Sequence, residues 1–139
     1  MKIRPLPTLV IMGILAMILS ACGMGAKAAS DADMAAKYQS AVQSLDHVQS
    51  VESEYKTTAG MGRTGFLGVH ANTSDPAELK TLLDKSFRAL VTAAGGDPEI
   101  DLPLQVIGDD STTVLTPKDL GCGGGTTLAE YRDCLKTLG

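Results

Sequence analysis

The chain contains few of the residues from which active sites and interfaces are usually built. It has no tryptophan, two phenylalanines and three tyrosines, so the aromatic anchors that dominate many protein interfaces are scarce. Its only histidines, His47 and His70, lie on different predicted elements, and nothing places a serine or cysteine nucleophile beside either one. Cys122 and Cys134, together with two distant histidines, are also too few soft ligands to indicate a metal site. We therefore predict no catalytic residues, no metal, no cofactor and no enzymatic activity.

Long apolar runs are also lacking, and the longest one lies near the N-terminus. Lys2 and Arg4 precede an apolar stretch from Leu9 to Leu19, which is only 11 residues long. A helix that crosses a bilayer needs about 20 apolar residues, so a transmembrane span is disfavoured. A basic start, a short apolar run and then small residues are typical of a secretory signal peptide. We predict that residues 1–21 are this signal.

The end of the signal carries the most specific motif in the chain. Leu19, Ser20, Ala21 and Cys22 resemble the lipobox of bacterial lipoproteins at every position. The resemblance implies that signal peptidase II recognises the first three residues and that Cys22 receives a diacylglyceryl group and becomes the new N-terminus. It thus implies a lipid anchor on the extracytoplasmic face of the cell membrane. The alternative is an ordinary secreted protein whose signal ends near a cysteine.

The charge of the remaining chain is acidic. The whole sequence has 12 basic and 16 acidic residues, and without Lys2 and Arg4 the balance becomes 10 against 16, a net charge of −6. Such a chain is repelled by anionic headgroups and by nucleic acid. We therefore expect no nucleic-acid partner, and we expect that lipid, not charge, holds the protein at the membrane.

The hydrophobic pattern predicts a flexible tether followed by one small domain. Residues 22–32 are mostly small residues, glycine and alanine, and residues 33–139 suit a single core. Periodicity and capping signals predict the order α-β-β-α-β-β-α, and clustered hairpins favour an α+β fold whose four-stranded antiparallel sheet is covered by helices on one side. The predicted helices span residues 33–46, 76–94 and 128–138, and the predicted strands span residues 50–58, 64–71, 102–106 and 112–116.

Two glycine-rich stretches look like phosphate-binding loops but lack the required context. "GMGRTG" contains Gly60, Gly62 and Gly65 in a dinucleotide-type spacing, but a strand follows it where a helix would be needed, so we interpret it as a hairpin turn with Arg63 at its tip. "GCGGG", residues 121–125, lacks the lysine of a P-loop. Amides at the start of the last helix still leave anion binding open.

Cys122, within "GCGGG", and Cys134, in the predicted last helix, admit a redox, metal or structural role. Eleven residues separate Cys122 from Cys134, whereas a redox motif has two. With Cys22 assigned to lipid by the resemblance, an extracytoplasmic chain retains an even pair, and we predict that Cys122 and Cys134 form a disulfide.

An acidic stretch, "DPEID", places carboxylates at residues 97, 99 and 101. It lacks the glycine and the final acid of a calcium-binding loop, so we interpret it as a solvated acidic loop.

The chain after the signal also resembles small, uncharacterised lipoproteins of high-GC Gram-positive bacteria, in "YKTTAGMGRTG" followed by "DPAELKTLLDKSFRAL". This resemblance implies no activity. Our leading hypothesis is a membrane-anchored, non-enzymatic domain that binds a protein of the cell envelope. The alternatives are a small-ligand or anion-binding lipoprotein and, last, an envelope hydrolase, which would need a nucleophile and base that the sequence does not place.

Overall fold

The computed structural model describes residues 29–139, which form one α+β domain. The first helix, α1, spans Asp31–Gln43, and two long strands follow, β1 at Val48–Thr58 and β2 at Gly62–Ala71. Helix α2 spans Pro76–Ala94 and precedes the short strands β3, Leu104–Ile107, and β4, Val114–Leu115. A 3₁₀ helix at Pro117–Leu120 leads to the last helix, α3, Leu128–Leu138. Within the described residues, no helix combines the length and the hydropathy that crossing a bilayer would require.

The helix boundaries follow from local capping. The Asp75 side chain accepts a hydrogen bond from the Glu78 amide, Pro76 occupies the first turn, and Gly95 ends α2 with a positive φ. Thr127 and Glu130 form a reciprocal capping box at the start of α3. The start of α2 has the residue types of a capping box, Asp75 and Glu78, but the box is incomplete because the Glu78 carboxylate accepts from the Thr73 hydroxyl.

The sheet order is β1-β2-β3-β4, and the sheet is mixed. β1 pairs with β2 and β3 pairs with β4 in antiparallel fashion, as the two predicted hairpins require, but β2 and β3 are parallel. The prediction of a purely antiparallel sheet is therefore wrong. The cause is α2, which carries the chain back from the end of β2, so that β3 runs in the same direction as β2 and beside its second half, residues 67–70, as in other helical crossovers.

The fourth strand is also shorter than predicted. The Asp110 carboxylate accepts hydrogen bonds from the amides of Thr112 and Thr113 and from the Thr113 hydroxyl, at 2.8–3.0 Å. These bonds form a turn that uses the amides that a longer strand would have paired. They also lower the pKa of Asp110 to about 2, with the backbone bond from Thr113 as the largest cause.

The core lies between one face of the sheet and the three helices. Its members alternate along the strands and recur at helical spacing in the helices. They include Leu67, Val69, Leu104 and Val106 from the sheet, Met34, Tyr38 and Val42 from α1, six large apolar residues of α2, and Leu128 and Tyr131 from α3. The Phe87 and Tyr131 rings meet edge to face with centroids 5.3 Å apart.

Tyr131 also fixes α3 to the sheet through its hydroxyl. The hydroxyl donates to the Leu102 carbonyl at 2.9 Å and accepts from the Leu104 amide at 3.1 Å. Burial raises the pKa of Tyr131 to about 12, so the hydroxyl stays protonated at neutral pH. The sequence pattern placed Tyr131 on the apolar face of the helix but gave no sign of this pair of hydrogen bonds.

Candidate interaction surface

Cys122 and Cys134 form a disulfide, as predicted from the sequence. Cys122 and Cys134 are bonded, with their Cα atoms 5.5 Å apart. Cys122 lies in the glycine-rich loop and Cys134 in the second turn of α3, so the bond fixes this loop against the helix. Both residues are half-buried and pack against the core.

The amides at the start of α3 are already satisfied by groups of the protein itself. The Leu128 amide donates to the Ile100 carbonyl at 3.0 Å, and the Ala129 amide donates to the Glu99 carboxylate at 3.0 Å. The Glu130 amide donates to the Thr127 hydroxyl at 3.3 Å. An external anion would have to displace the Glu99 carboxylate, so this helix N-terminus does not form an open anion site.

The acidic stretch at residues 97–101 is more internal than predicted. Its Asp97 carboxylate accepts from the Lys37 ammonium at 2.8 Å and from the Tyr38 hydroxyl at 3.0 Å, and only 18% of its side chain is exposed. Burial, and then the hydrogen bond to Asp97, raise the pKa of Tyr38. The interpretation as a solvated loop is wrong for Asp97. Glu99 and Asp101 are exposed, but each is hydrogen-bonded, Glu99 to α3 and Asp101 to the Thr126 hydroxyl.

The two histidines lie in different parts of the fold, but only His70 is on a regular element, because His47 lies in a turn. His47 has a positive φ and lies between α1 and β1, where its Nδ1 is 3.2 Å from the Asn72 side-chain oxygen. His70 lies on β2, and its Nε2 is 3.6 Å from the Glu52 carboxylate on β1. Within residues 29–139, no cluster of three or more histidine, cysteine, aspartate or glutamate side chains is placed to bind a metal.

"GMGRTG" forms the hairpin between β1 and β2, as predicted. Gly60 and Gly62 have φ values of +75° and +87°, which the turn requires. Met61, not Arg63, is at the tip and is 81% exposed, whereas Arg63 is already paired with Thr57 in the sheet. Gly65 has a separate role, because a Cβ there would lie 2.6 Å from the Glu54 carbonyl oxygen and 2.8 Å from Leu102 Cδ1.

The face of the sheet opposite the helices is a surface that the sequence did not indicate. We call it the open face, and within the described residues it contributes no side chain to the hydrophobic core. Side-chain alternation and the strand register place the following residues on it: Glu52, Glu54 and Lys56 of β1, Phe66, Gly68 and His70 of β2, Gln105 and Ile107 of β3, and Val114 of β4.

The open face has an apolar side and an acidic side. Phe66 and Ile107 are half-buried and Val114 is 44% exposed, and together they give the face an apolar part. The Phe66 ring lies over Gly68, where a Cβ would come within 2.7 Å of the ring. Glu52 and Glu54 are exposed on β1 at the edge of the face. The alternation of β1 in the sequence indicated a half-exposed strand, but only the sheet order shows that these residues share a face with Phe66 and Val114.

The outer edge of β1 borders this face. The Thr57 amide and hydroxyl both donate to the Asp31 carboxylate, at 2.9 and 2.8 Å, and these bonds lower the pKa of Asp31, the backbone bond more than the side-chain bond. Asp31 therefore holds the beginning of α1 against one end of β1. A groove of about 430 Å³ lies between the first turns of α1 and residues 53–56 of β1.

The remaining predicted site residues, Leu19, Ser20, Ala21 and Cys22, lie outside the described part of the chain. Comparison with protein-family models, with curated proteins and with solved structures finds no match to this chain.

Proposed function

We propose that this protein is a lipid-anchored domain on the extracytoplasmic face of a bacterial cell membrane, where it binds another protein of the envelope. The observation that carries the proposal is that two of its three cysteines are bonded to each other, which leaves the third for another role. Cys122 and Cys134 are bonded to each other, so Cys22, in the lipobox-like sequence after the signal, is the one cysteine outside the disulfide. A disulfide fits an extracytoplasmic location, because thiols in the cytosol are kept reduced.

The anchor follows from the chemistry of the lipobox. A diacylglyceryl group on Cys22 would insert two acyl chains, and each buried methylene contributes about 0.8 kcal/mol, so attachment is durable where a single chain is not. Residues 23–30 would then connect the lipid to α1, which begins at Asp31. On this proposal the domain lies close to the bilayer, and its acidic charge keeps it from adhering to anionic headgroups.

Protein binding is favoured over small-ligand binding by the surfaces of the domain. The open face combines an apolar part with an acidic border, which suits a partner with a complementary surface. The glycine-rich loop, which was the basis for the anion-binding alternative, borders a helix start whose first three amides already have partners. The acidic side chains of Glu130 and Asp133 near this loop also oppose an anion.

The test is site-specific photo-crosslinking on intact cells of the native host. A photoreactive residue replaces Val114, which is exposed on the open face, and a matched variant carries it at Lys80, which is exposed on α2 away from this face. We expect the residue at position 114 to capture one envelope protein reproducibly, and the residue at position 80 not to capture it. The same capture from both positions, or no reproducible capture from position 114, would contradict binding through the open face. Loss of membrane association on Cys22→Ser tests the anchor separately.

A further inference from the structure

The two outer edges of the sheet differ greatly in length. β4 has two residues, whereas β1 has 11 residues and lies at the other edge. An outer strand presents backbone N–H and C=O groups that have no strand partner, and a long one is a template for another strand. If the sheet accepts a further strand, β1 is therefore the edge that can receive it.

The hydrogen bonds at the end of β1 show which of its backbone groups point outward. The Thr57 amide donates to Asp31, which lies outside the sheet, so the backbone of Thr57 points away from β2. Across the pair, Gly65 is opposite Tyr55, and the Gly65 amide donates to the Asp101 carbonyl at 2.8 Å, on the side away from β1. The pair of Tyr55 and Gly65 is therefore one of those that exchange no hydrogen bonds.

Alternate residues of an antiparallel strand point to the same side, so the backbone groups of Val51 and Ser53 also point outward, together with those of Tyr55. Within residues 29–139, the outward amides of these three residues have no hydrogen-bond partner. Asp31 thus closes one end of the edge at Thr57 and leaves a free stretch of three outward-facing residues beside it.

The side chains on the two sides of this free stretch differ in character. On the helix side, the groove of about 430 Å³ is bordered by the small apolar side chains of Ala32 and Ala35. Asp31 and Ser53 also line it, but their side chains are already hydrogen-bonded to Thr57 and to the Ala35 carbonyl, and residues 54–56 and 64–65 complete the lining. On the open face, Glu52 and Glu54 are exposed. Side chains of an added strand would lie about 5 Å from them, a distance at which opposite charges attract and like charges repel.

A second copy of this chain is a poor occupant of the edge. In antiparallel self-pairing, the registers that use only the free groups place a glutamate at position 52 or 54 opposite another glutamate. The registers that place Lys56 opposite Glu52 or Glu54 also place Thr57 opposite Val51 or Ser53, and that pair cannot form its full set of bonds because Asp31 already binds the Thr57 amide. The edge therefore disfavours its own copy and favours a different, basic strand.

We infer that the free edge of β1 binds an extended peptide segment in which apolar residues alternate with lysine or arginine, and that this segment adds a fifth strand to the sheet. The apolar residues face the groove beside α1, and their amides bond to Val51, Ser53 and Tyr55. The basic residues face Glu52 and Glu54. This inference rests on the proposed function as an interaction domain and names the chemistry of the partner.

The probe is a seven-residue peptide of alternating valine and lysine that begins and ends with valine, acetylated and amidated at its ends. Binding to the full chain in nonionic detergent is measured by isothermal titration. In the proposed register the valine amides face β1 and the lysine amides face solvent. N-methylation of the valines should therefore weaken binding more than about tenfold, whereas N-methylation of the lysines should change it by less than about threefold.

Variants of the protein test the same geometry from the other side. Ser53→Pro removes the outward amide without removing a bond between β1 and β2, and proline is tolerated on an edge strand. Ser53→Ala is the matched control, because both variants lose the hydrogen bond from the Ser53 hydroxyl to the Ala35 carbonyl and only the proline variant loses the amide. We expect Ser53→Pro to bind more than about tenfold more weakly than Ser53→Ala. Glu52→Gln combined with Glu54→Gln should weaken binding about fivefold.

Several results would overturn the inference. These are equal binding of the two N-methylated peptides, equal binding by folded Ser53→Pro and Ser53→Ala, and no saturable binding of the unmodified peptide. If Ser53→Pro does not fold, the pair of N-methylated peptides decides the question with the unaltered protein. The peptide assay is independent of the lipid on Cys22. The crosslinking experiment can also be repeated with Ser53→Pro and Ser53→Ala, each carrying the photoreactive residue at position 114. If both variants capture the same envelope protein equally well, the proposed function stands, but the edge of β1 is not its binding site.

Discussion

Reduction of the disulfide between Cys122 and Cys134 should destabilise the domain by about 3 kcal/mol, on the chain-entropy estimate for a loop of this length. The two cysteines are 12 residues apart in the sequence, and the loop between them contains three consecutive glycines at positions 123–125. Once the bond is broken, the unfolded chain gains the freedom of that loop. For a domain of this size, a loss of about 3 kcal/mol corresponds to a fall in Tm of at least about 12 °C.

The assay is urea unfolding followed by far-ultraviolet circular dichroism, with and without a phosphine reductant. The double variant Cys122→Ser/Cys134→Ser is the control, because it has the reduced connectivity under both conditions. The unfolding midpoint of the unaltered chain should fall on reduction to that of the double variant, and the reductant should not move the midpoint of the double variant. If thiol titration shows both cysteines reduced and the midpoint is unchanged, the proposed contribution of the bond to stability is refuted.

Three further substitutions, one of them with a matched control, test the fold. Tyr131→Phe leaves the buried Leu104 amide and the buried Leu102 carbonyl without their hydrogen-bond partner. It should therefore lower the free energy of unfolding, measured by urea titration, by about 3 kcal/mol. Gly65→Ala, whose new Cβ meets the β1 backbone, should cost about 1–3 kcal/mol, whereas Gly96→Ala, which meets no atom within 4 Å, should change stability by less than about 0.5 kcal/mol. Asp110→Asn should be less stable than the unaltered chain at pH 7. Since the pKa of Asp110 is lowered from 3.8 to about 2 in the folded state, this difference should be constant above about pH 5 and shrink as the pH falls from about 5 to about 2.

The parts of the fold that depend on local chemistry could be predicted from the sequence. The start of α2 followed from Asp75 and Pro76 and its end from Gly95, because caps act on neighbouring amides and carbonyls. The bounds of α3 followed from Thr127 and Glu130 in the same way. The hairpin at residues 58–62 followed from its glycines.

The parts that depend on distant residues could not be predicted. The parallel pairing of β2 with β3 depends on the position to which α2 returns the chain, and no local sequence pattern predicts that position. Asp97 is held by Lys37 and Tyr38, about sixty residues earlier, so its own neighbours gave no reason to expect partial burial. The open face and the free edge of β1 also emerge only from the order of the strands, because the alternation of β1 is the same in an edge strand and an inner strand.

The central claim is that a lipid on Cys22 holds this domain at the outside of a cell membrane. The direct measurement is intact-mass and peptide mass spectrometry of the protein purified from its native host. The account predicts a chain that begins at residue 22, with a diacylglyceryl group on the Cys22 sulfur and a bond between Cys122 and Cys134. A mature protein with an unmodified Cys22, or one that retains residues 1–21, would contradict it.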